Sequence, residues 1–374
     1  MVHISHIYRL GIKELWSLWR DPIMLILILY AFTAMIYVAA SALPDALNKV
    51  PISIVDEDKS PLSARIISAF HPPQFIPPAQ ISLSDIDVGL DAGDFTFSLD
   101  IPPNFQSDVL AGRTPAIQLN VDATRITQAF TGTAYVHQIV TGEVNEFIQR
   151  YRGNTIPPID LITRVRFNPN LSESWFGAIM EIVEMITMLS IILAGAALIR
   201  EREHGTIEHL LVMPVTPTEI MLSKIWSMGL VVLIASTFSL QFIVQGLLGV
   251  PIEGSVLLFI ALTALFLFSM TSLGIFLATI AHNMPQFGLL MMLILLPMLM
   301  LSGMVTPIES MPSLAANIMK IAPTTHFAAA AQAILYRGAG FDVIWPQALA
   351  LAVIGTVLFI ASLTHFRKSM SGMA

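Results

Sequence analysis

The chain has 374 residues, 55% of them hydrophobic and only 12% charged, with a mean hydropathy of +0.73. Soluble domains carry about 25% charged residues, so these figures exclude a soluble globular protein and indicate several membrane spans. The net charge of −7 sits almost wholly in one region, because residues 44–175 hold fifteen acids and nine bases and so contribute −6. No basic excess points to nucleic acid, and the absence of cysteine excludes a disulfide scaffold or a cysteine metal site.

The chain opens on an amphipathic stretch. Ile4, Ile7, Tyr8, Gly11, Ile12, Leu15, Trp16 and Trp19 recur at helical spacing, while Arg9, Lys13, Glu14 and Arg20 lie off that stripe. Residues 1–21 therefore read as a helix lying in the inner membrane interface. Asp21-Pro22 starts a helix, and Ile23 to Leu43 is free of charge, enough for one crossing at about 20 residues per bilayer. Ala40-Ser41-Ala42 looks like a signal-peptidase site, but the apolar run is longer than a signal peptide's. Residues 22–43 are expected to be an uncleaved first span.

From Pro44 to Trp175 the chain is polar, without a second span. Val50–Asp56, Phe95–Ile101 and Ala116–Asp122 alternate as strands do. Ser60–Phe70, Asn104–Ala111 and the amphipathic Thr124–Arg152 (with Ile126, Phe130, Tyr135, Ile139, Val144, Phe147 and Tyr151 on its apolar face) read as helices. Residues 44–175 are thus expected to form an α/β domain with a core of its own.

Residues 176–374 are read as a domain of five further spans: Phe176–Ile199, Ile225–Leu248, Val256–Ile280, Phe287–Val305 and Trp345–Thr364. The five tryptophans, Trp16, Trp19, Trp175, Trp226 and Trp345, fall at predicted interfaces. Lysine and arginine in short segments set orientation. The N-terminal tail, the Arg200–Lys224 segment and the C-terminal tail hold eight, against Lys320 and Arg337 on the other side. Both termini are therefore placed in the cytoplasm and residues 44–175 outside. Residues 302–340, broken by Pro307, Pro312 and Pro323 into pieces too short to span, are expected to form a re-entrant or interfacial hairpin on the outer side.

The segment 200–224 carries four acids and three bases in a half of the chain otherwise almost uncharged. Gly205 tolerates the left-handed backbone that ends a helix. Thr206–Val212 is long enough for about two helical turns before Pro214 stops it. Thr216-Pro217-Thr218-Glu219 is a capping box that starts the next span. A short helix held between two spans suits docking to a cytoplasmic partner. Glu203-His204 and Glu208-His209 fall short of the three or four convergent ligands zinc requires, so no metal is expected. No GxxxxGK[ST], HExxH or GxSxG motif is present. Neither catalytic residues nor a cofactor are therefore expected in this chain. Within the second span Glu181 and Glu184 share a helix face. They either line a substrate or cation path or sit at the outer end of the helix. Gln241 and Gln245 in the third span either join that path or hydrogen-bond between helices.

The order of elements, with EREHGTIEHLLVMPVTPTEIMLSKI, SGMVTPIESMP followed by IAPTTHF, and the pair VPISIVDEDKSPLS and SLDIPPNFQSDVLAG, resembles the permease subunits of ABC type-2 exporters across essentially the whole chain. The resemblance implies a polytopic α-helical protein of a bacterial inner membrane. Six transmembrane helices, a periplasmic α/β domain after the first and an outer hairpin before the last would make up its fold. It implies an ATPase-coupling set of Glu203, Gly205, Thr206, Glu208, Leu210 and Pro214. The implied partners are a cytoplasmic ABC ATPase, a second permease copy or homologue, and a periplasmic adaptor with its outer-membrane channel. The alternative is a secondary transporter driven by a proton or sodium gradient through Glu181 and Glu184. A receptor or assembly factor is disfavoured by cytoplasmic tails too short to hold a signalling domain.

Overall fold

A computed structural model of the protein describes residues 3–42, 49–122, 126–152, 173–203, 205, 214–304, 306 and 308–371. The chain divides into two units: Met1–Leu43 with Phe167–Ala374, and Pro44–Arg166.

The second unit is built on a four-stranded sheet in the order β2-β1-β3-β4, with β1 Ile52–Asp56, β2 Ala79–Gln80, β3 Phe97–Ile101 and β4 Gln118–Val121. β1 runs parallel to β2 and β3, and β4 returns antiparallel on β3, pairing Leu99 with Leu119. The two central strands are buried almost throughout although their sequences alternate, so the polar Ser53 and Ser98 are buried along with their apolar neighbours. Ser60 caps the helix Pro61–Ala69 in a reciprocal box with Ser63. Asn104 takes a left-handed backbone (φ 61°) to enter Phe105–Leu110. The long helix Ile126–Arg152 lays Val136 and Phe147 on a core of Val50, Ile52, Ile54, Leu62, Ile66, Phe75 and Phe97. Arg65 bridges from Pro61–Ala69 to Glu143 and Glu146 on that long helix. Two elements went unread in the sequence: the two-residue β2 and the helix Asp85–Asp91.

The first unit is a helical bundle. Among the described residues, five helices are long and apolar enough to cross a membrane: Pro22–Ser41, Ser174–Glu203, Pro217–Leu247, Val256–Ile280 and Phe341–Lys368. Met284–Met300 is a shorter apolar helix. π-helical turns interrupt two of them, at Ala31–Met35 and Ser239–Leu247. Ser174–Glu203 is the central element, with 83% of its apolar window buried, whereas Phe341–Lys368 buries 17%. Small residues let the helices meet. A Cβ on Gly274 would stand 2.6 Å from the Ile191 carbonyl oxygen, so Val256–Ile280 reaches its neighbour only because this residue is glycine. Ser269 Oγ donates across to the Leu351 carbonyl at 3.1 Å. Thr187, Thr263, Thr271 and Ser272 instead return their hydroxyls to carbonyls of their own helices. That leaves those hydroxyls satisfied in an apolar medium. The stretch before the last helix forms Ser313–Met319 and Pro323–Leu335. Phe327 is stacked on Phe266, while Leu314, Ile318 and Ile321 stay exposed.

The glycine contact is testable. Gly274→Leu is expected to destabilise the bundle by ~1–3 kcal/mol through overpacking, read as a lower thermal midpoint in detergent. Gly288→Ala, with nothing within 4 Å of the new Cβ, is expected to leave the midpoint unchanged or slightly raised. Equal midpoints for both variants would contradict the close approach.

Candidate functional site

The first helix, Ile4–Trp19, shows why the charged residues of this chain gather at one edge of the bundle. Its apolar residues Ile4, Tyr8, Trp16 and Trp19 are exposed, and the side turned toward the bundle carries Gly11, Glu14 and Leu18. Gly11 takes the face of Trp226, whose Nε1 donates to the Ile7 carbonyl at 3.1 Å. Glu14 lies one turn further on, and it is buried. The polar Glu14 thus faces protein beside Gly11 and Leu18, while Ile4, Tyr8, Trp16 and Trp19 of the apolar stripe face outward.

Glu14 meets Lys224, which is 1% exposed, at 2.9 Å. The same ammonium lies 2.8 Å from Glu201, and Glu201 in turn accepts from Lys13 at 2.6 Å. Two ammonium groups and two carboxylates therefore neutralise one another where α-helices from three parts of the chain converge. Lys224 Nζ also donates to the Ala197 carbonyl at 3.4 Å. Burial pulls the Lys13 ammonium down, but the Glu201 and Glu14 carboxylates outweigh it and leave Lys13 above its ordinary value. Burial pushes the Glu14 carboxyl up by more than Lys224 pulls it back.

Further ties surround this quartet. Arg200 holds Asp21, the cap of the first apolar helix, at 2.7 Å. Glu219 completes the Thr216 capping box by accepting from the Thr216 N–H at 2.6 Å, and it also accepts from the His3 N–H at 2.6 Å. Arg202 donates to the Ala281 carbonyl at 2.6 Å, and Glu203 accepts from the Met284 N–H at 3.0 Å. Arg367 donates to Thr218 Oγ1 at 3.2 Å. The flanks of the 204–213 stretch are thus fastened to the N-terminal helix and to the ends of four other helices.

Of the residues singled out in the sequence, Glu203 and Gly205 lie at the end of Glu173–Glu203. Gly205 has φ +68° and its N–H donates to the Arg202 carbonyl at 3.1 Å, a glycine stop. Pro214 is exposed just before the capping box. Thr206, Glu208 and Leu210 lie outside the described residues. Glu181 is 7% exposed, its Oε1 has no hydrogen-bond partner, and Glu184 one turn on is half-buried. Gln245 is half-buried and Gln241 exposed, both on the π-helical turn. No hydrogen bond among the described residues joins either glutamine to Glu181 or Glu184. Sequence reading missed Glu14, Glu201 and Lys224 as a set. The available signal was Lys224 itself, a charge inside the apolar run MLSKIWSMGL that demands a buried partner.

Comparison with known proteins places this arrangement. The profile of the family described as ABC-2 family transporter protein matches residues 18–364. The chain is 58% identical, over all 374 residues and the whole of the relative, to the inner membrane transport permease YhhJ of Escherichia coli (strain K12). It is 27% identical over 366 residues to the probable multidrug ABC transporter permease YbhR of the same organism, spanning 96% of this chain and 97% of that one. To YbhS, also described as a probable multidrug ABC transporter permease, it is 26% identical over 369 residues, 94% of this chain and 93% of the other.

Removing one member of a buried ion pair leaves its partner charge uncompensated. Lys224→Met is therefore expected to cost ~3–5 kcal/mol, seen as a fall in thermal midpoint and in membrane yield. Adding Glu14→Gln leaves Lys13 and Glu201 balanced, and should recover ~1–3 kcal/mol relative to additivity. Strictly additive losses in the double variant would show that the two groups are not coupled.

Proposed function

The chain belongs to the ABC-2 transporter family, and from that premise we propose that it is the membrane-spanning permease subunit of an ATP-binding-cassette exporter. In this reading it moves a substrate out of the cytoplasm or the inner membrane. Energy comes from a separate cytoplasmic ATPase, whose presence family membership implies. The observation that carries the reading is the Glu14–Lys224–Glu201–Lys13 quartet, buried but for Lys13, at the flanks of the 204–213 stretch. An ATPase gripping that stretch would displace Glu201 and Lys224, and the ionic contacts would pass the displacement to the N-terminal helix instead of losing it in side-chain slip.

The proposal extends to topology. Six spans, with Met284–Met300 as the fifth, leave both termini and residues 200–224 in the cytoplasm of a bacterial inner membrane. Residues 44–175 then form a periplasmic domain, and 302–340 an outer hairpin. A second permease copy or homologue completes the path, and a periplasmic adaptor with an outer-membrane channel receives the substrate. Support for the orientation comes from the lysine and arginine distribution. The runner-up reading, gradient-driven transport, draws on the unpartnered Oε1 of buried Glu181. Transport by this chain alone in liposomes without ATP would favour it over the ATPase-driven reading.

Glu203→Ala with Gly205→Val is expected to reduce both the co-purifying ATPase and export by ~10-fold or more, equivalent to about 1.4 kcal/mol of lost docking, at unchanged membrane abundance. Wild-type values for both measurements would overturn the assignment.

A further inference from the structure

The unit Pro44–Arg166 contains a cavity of about 790 Å³ between the sheet and the long helix Ile126–Arg152. Close-packed interiors keep few voids larger than a water molecule, and ligand sites run to about 300–1,000 Å³. Its volume is therefore that of a ligand site. The walls are apolar: Leu99 and Leu119 from the sheet, Phe105 from the helix after Asn104, and Val140, Val144 and Ile148 along one face of the long helix. Those last three positions follow the four-residue spacing of a helix face, so the wall is continuous over two turns.

The polar groups are confined and of one kind. Among the described residues the lining includes Arg113, His137 and three threonines, but no carboxylate. That contrasts with the rest of the region, where residues 44–175 carry fifteen acids against nine bases. Arg113 is exposed at the lining and donates Nε to Asp108 at 2.9 Å, with Nη2 on the same carboxylate oxygen. A guanidinium presents five N–H donors, so Asp108, which does not line the cavity, leaves donors for another acceptor. Among the described residues, one guanidinium beside a long apolar trough whose lining holds no carboxylate is complementary to an anion with a hydrocarbon tail.

We propose that this cavity binds a single-chain amphiphile with an acidic head, its tail along Val140, Val144 and Ile148 and its head on Arg113. The site is independent of the permease reading, since it lies wholly within one unit. The test uses the full chain in lipid nanodiscs, with empty nanodiscs as background. The probes are a dansyl-labelled medium-chain fatty acid and its methyl ester, followed by fluorescence titration. Wild type should bind the acid at least ~10-fold more tightly than the ester. Arg113→Gln should weaken the acid ~10-fold and leave the ester unchanged. Val140→Trp, filling the trough, should abolish saturable binding of both. Should Val140→Trp fail to accumulate, Val144→Phe takes its place, and the exposed Arg113→Gln variant reads the head-group contact independently. No saturable binding above background in the wild type, equal affinity for acid and ester, or wild-type acid binding in Arg113→Gln would each overturn the proposal.

Discussion

Lys224 sets the terms for the helical unit. An ammonium group that is 1% exposed, at the entrance of an apolar helix, is tolerable only with carboxylates at hydrogen-bonding distance. Glu14 and Glu201 meet that need from helices far apart in sequence, at 2.9 and 2.8 Å. Once Lys224 is buried, the N-terminal helix cannot lie anywhere along the bundle; it must bring Glu14 to that point. The apolar stripe of the same helix then has to turn outward, and Tyr8, Trp16 and Trp19 do so. Glu219 repeats the device near the start of its own helix, serving the capping box and the His3 backbone N–H with one carboxylate.

Much of this architecture was legible because hydropathy and capping are local signals. Val256–Ile280 has the bounds read from the sequence, and Thr216 to Glu219 closes the capping box its letters announced. Gly205 takes the positive φ its position required. Strands β1, β3 and β4 lie within the alternating stretches. What escaped was either too short or not local. A two-residue strand has no period, and DIDVGLD has too few apolar residues to show a face. Glu14 illustrates the second kind. Its place off the apolar stripe suggested a solvated residue, yet in a helix lying against a bundle the polar side is the one that meets protein. Nothing in the spacing of one helix distinguishes those two situations.

The glutamates of the central span mark another boundary of sequence reasoning. Helical spacing correctly put Glu181 and Glu184 a turn apart, and it equally put Gln241 and Gln245 together. Spacing carries no information on how two helices rotate against each other, and the π-helical turn at Ser239–Leu247 changes that rotation for the glutamines. An extra residue per turn shifts every following side chain around the axis. Gln241, on that turn, is exposed, whereas Glu181 on the central span is buried.

The buried trio of Glu14, Lys224 and Glu201 is an expensive way to join helices, since apolar side chains of similar volume are often as stabilising. Its distinguishing property is direction. Apolar contacts tolerate sliding, because one methyl group serves as well as the next. Lys224 placed between Glu14 and Glu201 has one position in which both carboxylates are satisfied, and a displacement of a single turn would leave a charge stranded. The coupling proposed above would draw on that intolerance of slip. It also explains why the charges sit on both flanks of the 204–213 stretch: Glu201 and Arg200 precede it, and Glu219 and Lys224 follow it. The helices on either side of it, one ending at Glu203 and the other starting at Pro217, are thereby held in one register.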